Sequence, residues 1–584
     1  MHIANLSAGD SDVLELCEEI WQWRLSESPE VATYYGFHQY DDLWDDLSEE
    51  AYIRREACPH EFLKRAESLN TESCSPEVKL SYNLQVADLK LYLQGAQFRS
   101  YLMPITYSEG IHNMCHLIVS YMKFDTEEDF HKYICRLERL PARMQHLIPV
   151  LRRGIEEGIV AFSGTVDVIP DQIKKMLATP VEDLGIMQPF KVDHPQISDD
   201  ELEKFKTRAK ELIVSGIIPA LGSLKTYIEE EYFNHLRPKE SINTVNGGAN
   251  WYQQALNFYL TCSMTPQEVH DTGLREVSRI REQIMRLAIE ENLGQTFAEI
   301  SASVNRRFEK FFHSKDHVLQ YVKDICYKRI RPKLSLYFKN LPPSPMKVAL
   351  CPDYLRDMPG GLYLTGTLDG SREGCFFINS HDFEHCLPLQ LMALSLHEGE
   401  PGHHLQGVYA LESTHLPNFR RYIGDAKYYM APARFGCNTA YAEGWGLYAE
   451  SLGEELGLYQ DRIELLGRYK FEIFRAARLV VDTGIHAFGW SKKQAIQYLT
   501  ENTLSAPSSI SKEVDRYITL PGQACAYKIG EIKIWELRRK SEKQLGDKFD
   551  IKEFHHRILS CGAVPVSVLE MVVDQYIEET KHTE

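Results

Sequence analysis

Residues 389–406 read LQLMALSLHEGEPGHHLQ, and the folding of this stretch governs the reading of the rest of the chain. Its first half is an apolar helical approach that runs into His397-Glu398. In the zinc-peptidase helix HExxH, two His one turn apart ligate the metal and the intervening Glu activates water. Here the position of the second ligand, 401, is Pro. In a regular helix Pro401 would clash with the carbonyl of His397 and remove one hydrogen bond, so a bulge or kink is expected there. Two extra residues absorbed in the bulge bring His403 to the second-ligand position, and absorbing three would bring His404. Adjacent His near a Glu are often mere polar surface. Gly399, Pro401 and Gly402 inside an otherwise good helix argue against that here, because such strain marks functional sites. The competing group His381-Asp382-Phe383-Glu384-His385 lacks an apolar approach and reads as a solvated loop.

A third ligand should be a carboxylate on another helix, and YAEGWGLYAE (441–450) offers one. Tyr441, Trp445, Tyr448 and Leu452 form an apolar stripe that would lock this helix into a core. Glu443, flanked by Ala, Gly and Trp, is the expected ligand. Glu450, followed by Glu454-Glu455, reads as a solvated helix acid.

Outward from these two segments, helical punctuation dominates. Thr126-Glu-Glu-Asp129, Ser198-Asp-Asp-Glu201, Thr265-Pro266-Gln-Glu268, Ser491-Lys-Lys-Gln494 and Asp550-Ile-Lys-Glu553 are helix starts. Stretches 131–157, 200–232, 266–291 and 463–488 carry apolar residues at three- and four-residue spacing. VALCP (348–352), GLYLTG (361–366) and GCFFIN (374–379) break that pattern as short strands, the last two joined around Asp369-Gly370-Ser371 as a hairpin. The fold class expected is mainly α with a small β-sheet. A soft boundary at 236–250, rich in Pro, Asn and Gly, divides an N-terminal helical lobe (1–240) from a catalytic lobe (241–584). The second lobe holds the sheet (348–379), the metal helix (387–409) and the C-terminal helices.

The 584 residues are 43% apolar and 25% charged, which excludes a disordered chain, collagen and a disulfide miniprotein. A formal charge of −18 argues against a nucleic-acid partner. The amino terminus lacks a basic and an apolar signal region, and apolar runs such as 387–396 fall short of a membrane span, so no membrane partner is expected. Thirteen cysteines without a CxxC pair fit reduced thiols, and the location expected is cytoplasmic.

HEGEPGHHLQ, YAEGWGLYAE, ARLVVDTGIH (477–486) and PGQACAYKIGEIKI (521–534) together resemble the domain-of-unknown-function 885 family, which is grouped with gluzincin-type, zincin-like metallopeptidases. The resemblance covers most of the chain and implies a large two-lobed helical fold with a deep cleft. It implies that His397, His403 and Glu443 bind zinc while Glu398 is the base. Gly402-His403-His404-Leu405 matches the Gly-His-x-Leu step of related helices, which favours His403 over His404.

The chemistry implied is hydrolysis of an amide bond in a short peptide, by a carboxypeptidase- or dipeptidase-like route. Glu398 takes a proton from water and passes it to the leaving amine. An oxyanion needs donors beyond zinc. Tyr527 is the first choice and Lys528 the second, both placed by the site through the family match. Asp482 and His486, at i and i+4, would support a ligand or donate to the oxyanion. Arg516 and Arg478 offer guanidinium forks for a terminal carboxylate. Gly361 and Tyr363 would lie on an edge strand that pairs with an extended peptide, as in zincins generally. Two other readings stand beside this one: a zinc amidohydrolase acting on a metabolite amide, and a binding or scaffold protein that keeps the fold without turnover.

Overall fold

The computed structural model describes residues 7–107, 109–352, 360–422, 431–436 and 438–582. They form a mainly α-helical chain with one three-stranded sheet. Helices begin where short acceptor side chains satisfy the free N–H groups of the first turn. Thr126 and Thr265 do so in reciprocal capping boxes with Asp129 and Glu268, opening α1 (Glu127–Glu157) and α2 (Pro266–Glu290). Ser198, Ser491 and Asp550 cap three further helices as the sequence predicts.

The helical run that Ser198 opens passes through a π-turn at Ile213–Ile217 and ends at Glu230. By length and composition it holds a window apolar enough for a membrane span, with mean hydropathy 1.2. The expectation that every apolar run is too short therefore fails for this one. Its Phe205, Ala209, Ile213, Ile217, Leu221, Leu224 and Ile228 are buried in a protein core, which is the pattern of a core helix.

Three large apolar clusters hold the elements together. The first gathers residues from Leu16 to Tyr232 and receives Ala433 and Phe435 from far along the chain. Phe435 stacks on Tyr92 with ring centroids 4.7 Å apart. The second runs from Phe312 to Ile577 and takes Leu84 from the first half, and the third takes Phe162. Each fully buried Leu or Phe so exchanged contributes roughly 1.5–3 kcal/mol.

Strands β1 (Met346–Leu350), β2 (Gly361–Leu364) and β3 (Gly374–Ile378) form the sheet in the order β1-β3-β2. β3 is central, parallel to β1 and antiparallel to β2, with Tyr363 opposite Phe376. β2 is thus an outer strand. After the sheet come α3 (Leu391–Glu398), α4 (His403–Leu411), α5 (Thr439–Glu455), α6 (Arg462–His486), α7 (Pro507–Thr519) and α8 (Ala526–Leu545).

Tyr441, Trp445, Tyr448 and Leu452 of α5 are fully buried, as their stripe requires. On another side α5 meets α8 backbone to backbone. A Cβ on Gly444 would lie 2.4 Å from the carbonyl carbon of Gly530, and one on Gly530 would lie 1.9 Å from the oxygen of Ala440. Only glycine permits that approach, which explains one of the two glycines in YAEGWG.

Candidate metal centre

The proline-containing break does what its sequence demands. α3 stops at Glu398, Gly399 and Gly402 take non-helical dihedrals (φ −94°, ψ −128° and φ −74°, ψ −130°), and α4 resumes at His403. The break is stitched on both sides, by His404 N–H donating to Gly399 O at 3.1 Å and by Trp445 Nε1–H donating to Pro401 O at 2.8 Å. The rotation so introduced brings His403, not His404, over His397: the two imidazoles stand edge to face with centroids 4.7 Å apart. His404 turns to the sheet, where its Nε2 donates to Ser344 O and its Nδ1 accepts from the Tyr363 hydroxyl at 3.0 Å.

Both imidazoles address one carboxylate. His397 Nε2 and His403 Nε2 each lie 3.4 Å from Glu443 Oε2. One ligand atom from each of His397, His403 and Glu443 falls within 4.8 Å of the others, so the three residues could hold a metal ion. His397 is buried, whereas the side chains of His403 and Glu443 keep 20% and 21% exposure, which leaves the group reachable from one side. Glu398, next in sequence to His397, accepts a hydrogen bond from the outward N–H of Tyr363 on β2 at 2.9 Å.

Glu450 overturns the reading of it as a solvated acid. It is 1% exposed, and its Oε1 accepts from His397 Nδ1 at 2.8 Å. Seven residues are two helical turns, so Glu443 and Glu450 lie on one stripe of α5 and grip the two nitrogens of the same ring. Gly446 sits between them, where a Cβ would come within 2.7 Å of that ring. The spacing Glu443-x-x-Gly446-x-x-x-Glu450 was the available signal, obscured by the acidic residues that follow. Burial works against a charged His397, but hydrogen bonds to Glu443 and Glu450 outweigh it and raise its pKa to about 9. Burial likewise opposes ionisation of Glu443, yet hydrogen bonds to His397 and His403 hold its carboxyl well below the usual range.

Other expected residues fall elsewhere. Lys528 is buried among Glu472 (2.7 Å), Glu531 (2.6 Å) and Glu276 (3.1 Å). All its donors face structural carboxylates, so the role expected for it, a donor to the oxyanion of a bound substrate, does not stand. His486 is fully buried: its Nε2 donates to Tyr517 O at 2.9 Å and its Nδ1 accepts from Ile242 N–H at 3.2 Å. It is not in hydrogen-bond contact with Asp482, which accepts from the Tyr252 hydroxyl and from Gly522 N–H. The expected catalytic His486 is thus a satisfied core histidine, because both ring nitrogens are spent on backbone. Tyr527 lies under Arg478, whose guanidinium carbon is 4.6 Å from the ring centroid, and beside Arg516. Gly361 sits on β2, where a Cβ would meet Leu394 and Phe376 at 3.0 Å. His385 is exposed on its surface turn with Asp382. The cavities of about 80 Å³ and about 20 Å³ that share Met103 and Thr106 include none of the metal-group residues.

A helical chain that bends one helix to gather two histidines and two glutamates defines the class of site. The chain belongs to the family described as "Bacterial protein of unknown function (DUF885)", whose model matches residues 29–573. A crystal structure of a "putative lipoprotein" from Colwellia psychrerythraea is 25% identical, with a TM-score of 0.90, covering 98% of this chain and 99% of that one. A "putative lipoprotein of unknown function" from Shewanella oneidensis has the same fold at 19% identity and a TM-score of 0.68, covering 97% and 99%. No curated protein matches the chain. Lipoproteins are membrane-anchored, and these two names overturn the cytoplasmic location expected from the amino terminus and the thiols.

Proposed function

We propose that this protein is a zinc-dependent hydrolase of peptide bonds in short peptides, a gluzincin-type enzyme with a zincin-like site. The observation that carries the reading is the convergence of His397, His403 and Glu443 within 4.8 Å, with Glu398 adjoining. Two imidazole nitrogens and one carboxylate oxygen form the donor set of a catalytic zinc, which takes three protein ligands and keeps a position open. The bond from His397 Nδ1 to Glu450 fixes the tautomer that leaves Nε2 free to ligate, the usual support of a metal-bound histidine. The residues therefore fit zinc. When bound, zinc supplies Lewis acidity that polarises an amide carbonyl and makes water easier to deprotonate.

The rest is the work of the chain. Glu398 accepts the proton of the attacking water and returns it to the departing nitrogen. Tyr363 N–H holds that carboxylate in place and ties it to β2. With the Tyr363 N–H kept by Glu398, the outer edge of β2 at Gly361 and the Tyr363 carbonyl would take an extended peptide as an added strand. Tyr527 stands one turn before Gly530, which packs on the neighbour of Glu443, and its hydroxyl is the donor offered to the oxyanion.

Metal analysis combined with Glu398→Gln tests this. The purified protein should carry about one zinc per chain. The variant should keep that zinc and lose at least about 100-fold in turnover of a peptide library. A folded protein without zinc affinity, or unchanged turnover in the variant, would sink the proposal.

A further inference from the structure

Three arginines, Arg475, Arg478 and Arg516, gather about Glu513, and Arg475 reaches the metal group through Glu450. Arg475 Nη2 lies 3.9 Å from Glu450 Oε1, the same oxygen that accepts from His397. The guanidinium thus reaches the metal-ligand ring through a single atom. One turn along α6, Arg478 donates from Nη2 to Glu513 at 3.0 Å and from Nε to the Tyr517 hydroxyl at 3.0 Å. Arg516, on α7, approaches the same oxygen of Glu513 at 3.9 Å and flanks the Tyr527 ring from which Arg478 stands 4.6 Å. The three guanidinium groups draw on Glu513 and on a Glu450 already committed to His397, while Arg516 also donates to Gln523 Oε1 at 3.0 Å and Arg475 to Phe471 O at 3.5 Å. Among the described residues, these buried N–H groups have no acceptor: Nη1 of Arg478, which is 5% exposed, Nε of Arg475 and Nε of Arg516. Unsatisfied donors of this kind cost stability unless a ligand engages them.

Resting on the hydrolytic reading above, we propose that the protein takes substrates ending in a free α-carboxylate, and that Arg475, Arg478 and Arg516 form the pocket that binds it. A carboxylate supplies two planar acceptors for these N–H groups, which match the guanidinium fork. Tyr527, lying among these arginines, would face the substrate between its carboxylate and the bond to be cut. Because the pocket adjoins the metal group through Glu450, the bond cleaved is near the carboxy terminus, and the enzyme acts as an exopeptidase.

The test compares an N-acetyl dipeptide ending in a free carboxylate with the same compound ending in a carboxamide. Calorimetric titration, with zinc present and again with a chelator, should give about 10- to 100-fold tighter binding of the acid. Arg478→Met and Arg516→Met should each reduce the acid towards the affinity of the amide, with a higher KM and little change in kcat where hydrolysis is seen. Equal affinity of the two compounds for the wild-type protein overturns the proposal and needs no variant to fold. A preference that survives in both variants overturns the assignment to these arginines. Acid-selective binding without hydrolysis upholds the pocket and defeats the hydrolase, whereas hydrolysis of both compounds alike does the reverse.

Discussion

Glu450 is the residue whose role differs most from its sequence setting. Its charge is buried, and its Oε2 has no hydrogen-bond partner among the described residues, so the carboxylate is held for the sake of His397 rather than for local stability. Glu450→Gln should keep the fold and lower zinc affinity by about 10-fold or more, measured by competition with a chromogenic chelator. His555 is a different case. Its Nδ1 donates to Tyr337 O at 2.9 Å and its Nε2 accepts from the Tyr448 hydroxyl at 2.9 Å, so the neutral ring is fully used. Burial lowers its pKa to about 3 from an ordinary 6.5. A depressed histidine contributes stability that is present above pH 6.5 and is lost as pH falls towards 3, because the unfolded chain takes up the proton first. His555→Gln should therefore destabilise most above pH 6.5. Its gap from the wild type in denaturant melts should narrow steadily as the solution is acidified, and a constant gap would refute this.

At the scale of elements, the helix starts, the buried stripe of α5 and the three strands were legible because each is written in neighbouring residues: a cap, a period of three to four, a β-rich run. The break at Gly399–Gly402 was legible as a break through Pro401, but its rotation was not. The angle at which α4 resumes is set by contacts such as Trp445 with Pro401, forty-four positions away. The crossing of α5 and α8 is equally non-local and rests on Gly444 and Gly530. Gly530→Ala would push a methyl against Ala440 O and should cost about 1–3 kcal/mol or more, seen as a lower midpoint of unfolding. Because α5 carries Glu443 and Glu450, the same change should weaken the proposed zinc binding, although it touches neither residue.

At the scale of the molecule, apolar residues traded between distant parts of the chain, Phe435 and Leu84 among them, make its cores interdependent. On the zinc reading proposed above, zinc at 100 times its dissociation constant would add about 2.7 kcal/mol to the folded state. Spread over the unfolding entropy of so long a chain, that amounts to only about 2 °C in the thermal midpoint. Calorimetric scans with and without zinc should show this small rise, and Glu443→Ala should abolish it. His486, chosen on its i, i+4 spacing from Asp482, and Lys528, chosen through the family resemblance, met the opposite fate from His403. They were drawn into core hydrogen bonds and an ion network because partners from separate segments, Ile242, Tyr517 and Glu276, reached them first in space. The sequence by itself determined the helical class, the small sheet, the caps and the pairing of His397 with Glu398, since each follows from rules acting over a few residues. Tertiary packing set His403 rather than His404 against His397, as the resemblance favoured, buried Glu450 behind that ring and brought Arg475 to it. Those outcomes depend on how helices rotate and cross, and contacts between distant parts of the chain set that geometry.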